Sequence, residues 1–368
     1  MLDLDSLLTE MIEHRASDMF IKAGVPPAFR IDGSITPTRH SDATIEDTME
    51  QAQRIMTERQ WQIFQDQLEM DLSYAVRGLG RFRVNIFLQR GSVSMAFRHV
   101  PSANLSFEEL NLPAVVRKLA EEHRGLVLVT GTTGSGKSTT LAAMINHINR
   151  NRCCHIVTIE DPIEFLHPDA KSIITQREIG FDTLSFSAAL KHVLRQSPDV
   201  ILIGEMRDVE TIQTAVNAAE TGHLVFSTLH TIDAVQTVER IINYFPAHLH
   251  AQIRMELGLC LQGVVSMRLL PHACGRGRVP AVEIMIGTPL IRKLLHEGKT
   301  LELPQYIEQG SHVGMQTFNQ SLLRLYNAGL VRMEDALAYA TSPDEFRLMA
   351  EGIATGVRAR EFDNIYRM

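Results

Sequence analysis

Hydrophobic and polar positions along the chain fall into three rhythms. At the start, Leu4, Leu7, Leu8, Met11 and Ile12 recur at helical spacing and predict an amphipathic helix that docks on a domain. From 17 to 100 the pattern is that of a small α+β domain. "MFIKAG" and "AFRIDG" flank Pro26 and Pro27, a helical pair covers roughly 44 to 68, and "DLSYAV", "GRFRVNIFLQR" and "SVSMAFRHV" follow. Gly78, Gly80 and Gly91 punctuate these last three segments as an antiparallel meander. Within them Phe82, Val84, Ile86 and Leu88 alternate with Arg81, Arg83, Asn85, Phe87 and Gln89, which predicts one core face and one face bearing two arginines.

After Pro101 the chain enters a helix, with Ser106 and Glu109 at capping-box spacing and Pro113 positioned to delay the main helical run. The expected boundaries are therefore a first domain over 1–101, a linker over 102–122 and a second domain over 123–368. In the second domain apolar strands ("LVLVT", "HIVTIE", "VILIGE", "HLVFSTLH") alternate with amphipathic helices, including one from Lys137 to Asn149. That alternation predicts a parallel sheet covered by helices, so the fold class is α/β. From about 247 the pattern reads as mostly helical, interrupted by "GRVPAVEIMIG", and Ser342 before Pro343 marks a late helix start.

Composition narrows the class. The 368 residues suit two domains, and 45% hydrophobic with 21% charged residues is the balance of a globular protein rather than a disordered one. The longest apolar runs are strand-length, short of the ~20 residues a bilayer span needs. Asp3, Asp5, Glu10 and Glu13 interrupt the first helix, unlike a secretory signal, so a cytoplasmic protein is expected. A net charge of -7 argues against nucleic acid as the main partner. Cys153, Cys154, Cys260 and Cys274 form neither a CxxC pair nor finger-like spacing with His, and are expected to be reduced structural thiols.

The chemistry is concentrated in the second domain. Gly131 to Ser138 fits G-x-x-x-x-G-K-[ST] at every position, after an apolar strand and before a helix. Gly131, Thr132, Thr133, Gly134, Ser135, Gly136, Lys137, Ser138 and Thr139 would wrap the phosphates of ATP, with Lys137 on the β- and γ-phosphates and Ser138 on Mg²⁺. Glu205 ends "VILIGE", where open α/β sheets bind ligands; it would hold Mg²⁺ through water or polarise the attacking water, and its bland alternative is a partner for Arg207. Glu160, Asp161 and Glu164 cluster after the preceding strand, as metal and water handling require, although an acidic turn fixed by Pro162 would look the same. His223 and His230 flank a further strand; both are candidates for the nucleotide, and His230 for sensing the γ-phosphate. Arg81 and Arg83 are either a solvated sheet face or the arginines that meet developing charge in a neighbouring subunit.

Taken together and in order, "GTTGSGKSTTLAAM", "TIEDPIEF", "DVILIGEMRD" and "AAETGHLVFSTLHT" resemble the motifs of the type II/IV secretion ATPase superfamily. Within it the chain is similar to the pilus retraction ATPases of the PilT/PilU family, from about residue 5 to about residue 350. The resemblance implies a PAS-like first domain and a RecA-like second domain with a helical C-terminal part. It also implies a homo-hexameric ring in which Arg81 and Arg83 reach the neighbour's nucleotide, and ATP hydrolysis that drives pilus retraction. Partners implied are an inner-membrane platform protein, which would hold the ring peripherally at that membrane, and a paralogous retraction ATPase. The four-cysteine insertion of the extension and secretion branches has no counterpart here, which favours retraction. Leu290 and Lys293 depart from the pattern of one retraction paralogue, and "SPDEFRLM" is similar to the other, so an accessory ring coupled to a second ATPase stays open.

Overall fold

The computed structural model describes residues 2–353; the end of the expected second domain, 354–368, lies outside the described residues. The chain divides into two compact units, Met1–Ser102 with Glu164–Leu166, and Ala103–Ile163 with His167–Met368.

The first unit opens with α1 (Leu4–Glu13), continues through β1 (Asp18–Lys22), β2 (Ala28–Ile31) and β3 (Ser34–Pro37), and then α2 (Ile45–Ile55) and α3 (Glu58–Gln67). The meander follows as β4 (Glu69–Val76), β5 (Gly80–Gln89) and β6 (Ser92–Val100). Among the described residues the strands form one antiparallel sheet in the order β3-β2-β1-β6-β5-β4. Leu4, Leu7, Leu8 and Met11 of α1 pack with Ala52 and Ile55 of α2 and Phe64 of α3 against Phe82, Val84 and Ile86. Both later helices begin with a full capping box, Thr44 with Asp47 and Thr57 with Gln60. The predicted alternation in β5 holds through Ile86 and fails at Leu88, which is 36% exposed near the strand's end. Strand β3 has no apolar signal, since all four of its residues are exposed.

The second unit starts earlier than the sequence pattern suggests. Ser106 and Glu109 do bond reciprocally, but they close a turn, and α4 (Ala114–Glu121) begins after Pro113. Part of the expected linker is core: Val115, Val116 and Leu119 pack with Val127, Val129, Leu141, Met144 and Ile148. The order continues β7 (Gly125–Thr130), α5 (Lys137–Asn151), β8 (His155–Glu160), β9 (Ile173–Glu178), α6 (Phe186–Val193), β10 (Val200–Ile203), α7 (Val209–Glu220), β11 (Leu224–Leu229) and α8 (Ala234–Asn243). It ends with α9 (His250–Cys260), β12 (Leu261–Pro271), β13 (Arg278–Ile286), α10 (Pro289–Glu297), α11 (Leu303–Gln309), α12 (Phe318–Asn327), α13 (Met333–Tyr339) and α14 (Pro343–Ala350).

The sheet order is β13-β12-β7-β11-β10-β8-β9, parallel throughout except where β13 runs against β12. All six residues of β7, and all six of β11, are buried because helices cover both faces. The expectation of a mostly helical chain after 247 fails at β12. "LQGVVSMRLLP" is a strand beside β7 whose residues Gly263 to Met267 are all buried, and a run buried on both faces has no alternation to distinguish it from helix. Phe318, Leu322, Ala336 and Phe346 of the last helices close a smaller core over Leu270, Val279 and Ala281.

Candidate nucleotide site

Strands β7, β11, β10 and β8 all run the same way, so their carboxyl ends form one edge, and the loops leaving that edge carry Gly131–Gly136, His230, Glu205 and Asp161. The phosphate loop is shaped by its glycines. Gly131 has φ +144, and a Cβ there would lie 2.5 Å from Ser135 Oγ and 2.6 Å from the Met267 carbonyl, so only glycine fits. Gly136, at φ +98, is the N-cap of α5 and gives its first turn no side-chain cap, the kind of helix start that suits an anion. Thr132, Thr133 and Gly134 are exposed, Ser138 and Thr139 half-buried, and Ser135 buried with its Oγ lacking a hydrogen-bond partner. The Lys137 ammonium donates to the carbonyls of Gly131 (2.8 Å) and Thr132 (2.9 Å), folded back into the loop it serves.

Glu205 stands just beyond β10. Arg207 Nε donates to its Oε2 at 2.7 Å, and His230 Nε2 lies 3.5 Å from its Oε1. The pairing with Arg207 expected of the bland alternative is present, and the same carboxylate also faces the loop after β11. That pairing holds the Arg207 guanidinium firmly protonated, with Asp161 adding to the effect. Below it, Thr228 Oγ1 donates to the Gly204 carbonyl (2.6 Å) and Ser227 Oγ to the Ile203 carbonyl (2.9 Å), tying the two strand ends together. Gly204 leaves room for β8, since a Cβ would come 3.3 Å from the Ile159 carbonyl.

The other expectations separate. Glu160 accepts from Thr158 Oγ1 (2.6 Å) and Gln176 Nε2 (3.2 Å), which turns it towards β9. Glu164 is exposed and groups with the first unit. Among the described residues no three His, Cys, Asp or Glu side chains converge as a metal-binding group, and Glu160, Asp161 and Glu164 are not brought together as one. His223 lies at the other end of its strand: its carbonyl accepts from Gly125 N at the amino end of β7 and its ring contacts the Ala218 carbonyl (2.9 Å). The length of β11, about 20 Å, separates it from the phosphate loop of its own chain. Arg81 and Arg83 sit on β5 in the first unit, half-buried and exposed respectively.

The family model described as Type II/IV secretion system protein matches residues 2–358. The chain belongs to that family. Within the family it is 45% identical over 348 residues to the type IV pilus ATPase PilU of Pseudomonas aeruginosa, covering 95% of this chain and 91% of the relative. It is 46% identical over 352 residues to the type IV pilus retraction ATPase PilT of the same organism, covering 94% of this chain and all of the relative. A crystal structure of the pilus retraction motor PilT with bound ADP superposes with a TM-score of 0.87 at 47% identity, over 94% of this chain and 99% of that one. The ATPase DotB of Legionella pneumophila matches at a TM-score of 0.73 and 25% identity, over 90% of this chain and 94% of that one. The fold is that shared by these ATPases, an N-terminal domain followed by a RecA-like ATPase domain.

Proposed function

We propose that the chain is an ATPase motor that powers type IV pilus retraction by hydrolysing ATP. The observation that carries this is the convergence, at one sheet edge, of the Gly131–Ser138 loop with Glu205 and His230, in a chain similar along nearly its whole length to a retraction motor solved with ADP. The amides of α5 and Lys137 take the phosphates, Lys137 exchanging its two carbonyl contacts for phosphate oxygens. In this reading Glu205, held by Arg207, takes a proton from water, and His230 beside it registers the γ-phosphate. The half-buried Ser138 hydroxyl and the Glu205 carboxylate are hard oxygen donors that fit Mg²⁺. When bound, that ion neutralises charge on the β- and γ-phosphates.

In the same proposal six copies form a ring, Arg81 and Arg83 of one copy approach the nucleotide of the next, and the ring acts on a platform protein at the inner membrane from the cytoplasmic side. No helix among the described residues is long and apolar enough to cross a membrane. The first domain, 1–101, supplies the arginines, and the RecA-like part from 123 onward the nucleotide. The test is enzymatic and cellular. Lys137→Ala should lose nucleotide binding and Glu205→Ala should retain bound ATP without turnover, and neither should restore retraction to a deletion strain; wild-type hydrolysis in either variant would refute the assignment.

The similarity to PilU supports a second reading, an accessory ring that couples a second retraction ATPase to the platform with its own hydrolysis dispensable. Restoration of retraction by Lys137→Ala in a strain that retains an active paralogue would decide for it.

A further inference from the structure

Glu283 places a carboxylate in the middle of β13, a strand whose neighbours Ala281, Val282, Ile284 and Met285 are all buried and apolar. Its Oε1 accepts from the backbone N–H of Ala234, the first residue of α8, at 2.9 Å. Register puts it in one row with the phosphate loop: Glu283 is opposite Ser266 on β12, and Ser266 is opposite Thr130, whose Oγ1 donates to Ser266 Oγ at 2.9 Å. Arg268, two residues along β12, is its diagonal neighbour on the same face. Arg268 is itself held by the Tyr339 carbonyl (2.5 Å) and lies 3.7 Å over the Phe318 ring.

We propose that Glu283 is a positioning residue for hydrolysis: by holding the first amide of α8 it fixes the loop 230–233, and with it His230, against Glu205. The inference rests on the ATPase function proposed above. Only four residues separate the end of β11 from α8, so the loop has an upstream anchor in the sheet and a downstream one in Glu283. Between them, Thr231 and Thr237 share a 2.7 Å hydroxyl contact and Thr237 Oγ1 donates to the Asp233 carbonyl at 2.6 Å. His230 reaches Glu205 at 3.5 Å, so a displacement of the loop by even about 1 Å would break the pairing. A purely structural residue at this buried position would be better apolar, because a carboxylate must repay its desolvation.

The anchor is also sensitive to pH. Burial pushes the Glu283 carboxyl up to about 7; Asp233, beside it, pushes the same way, while the Ala234 amide and Arg268 oppose. The ionised carboxylate makes a charge-assisted bond at the positive end of α8, and the protonated form only a neutral one. The bond to the Ala234 amide therefore strengthens as pH rises through that value, while burial of the charge costs the fold as a whole.

The experiment measures kcat and KM for ATP with the full chain from about pH 6 to about pH 9, alongside affinity for a fluorescent ADP analogue. Glu283→Gln keeps a carbonyl for the Ala234 amide but not the charge. It should lower kcat about tenfold at the alkaline end and abolish the rise of kcat through neutral pH, with ADP affinity held within about twofold. Hydrogen exchange of the 230–237 segment in the unsubstituted protein, corrected for intrinsic rates, should slow as pH rises through the same range, and needs no variant to fold. A Glu283→Gln profile superimposed on the wild type, ADP affinity falling in parallel with kcat, or exchange protection without that rise would each overturn the assignment. A wild-type chain that hydrolyses no ATP at any pH would overturn the ATPase function as well.

Discussion

Arg292 joins three elements of the second unit, and its removal should be costly. Its Nε donates to the Gly287 carbonyl (2.7 Å), Nη1 to the carbonyls of Gly258 (2.8 Å) and Leu259 (2.6 Å), and Nη2 to Gln262 Oε1 (3.0 Å). The guanidinium thereby closes the C-terminal carbonyls of α9, the start of β12 and the turn before α10, where a Cβ at Gly287 would collide with the Leu261 carbonyl. Of the four bonds, the one to Leu259 is exposed and water replaces it readily. Counting only the Gly287 and Gly258 bonds at ~1.5 kcal/mol each, the low end for charged donors, Arg292→Met should cost about 3 kcal/mol. For a unit of this size that lowers the melting midpoint by about 6–12 °C. Far-UV circular dichroism follows the loss, while fluorescence of Trp61, on α3 in the first unit, follows that unit separately. Arg292→Lys keeps the charge without the planar fork and should recover less than half of the loss. A melting midpoint for Arg292→Met equal to wild type, or full recovery with lysine, would refute this reasoning.

Three further outcomes can be checked. Burial lowers the His167 imidazole from 6.5 to about 4, so the folded state binds fewer protons than the unfolded one in that window and stability falls as pH drops through it, by about 3 kcal/mol in all. His167→Gln should remove this slope in urea titrations at successive pH values; Glu283, raised from 4.5 to about 7, contributes the opposite sign and remains. Gly131→Ala should reduce ADP affinity at least about tenfold and also lower the melting midpoint, because the new Cβ meets both Ser135 Oγ in the phosphate loop and the Met267 carbonyl of β12 at a φ of +144, and undiminished binding would contradict that geometry. With Ellman's reagent the exposed Cys153 and Cys274 should react in the folded protein, while Cys260, buried and pushed up to about 12, should react only after unfolding; mass spectrometry of the labelled peptides distinguishes them.

What the sequence made legible follows from whether one residue's surroundings are set by its near neighbours. The phosphate loop is local: strand, glycines, lysine and helix lie within one stretch, so Gly131 to Ser138 could be placed with its context. The helices α1, α2 and α3 were equally plain, because a single buried face leaves a 3.6-residue signature and the Thr44 cap is written in adjacent residues. Strand β12 was not, because its two covered faces erase the alternation, and β3 was not because it has no buried face at all. The site shows the same division. Strand ends carry chemistry, and Glu205 and His230 do meet at one sheet edge, yet that rule does not tell which end of a strand a flanking residue occupies, and His223 lies at the opposite end of β11. Glu283 was invisible for a deeper reason. Its meaning lies in a row running across β13, β12 and β7, whose members Glu283, Ser266 and Thr130 are separated by more than a hundred residues at one step. No periodicity along the chain encodes such a row; only the order of strands in the folded sheet does. A single carboxylate in an apolar strand is the one trace it leaves, and "PAVEIMIG" carries that trace in plain view.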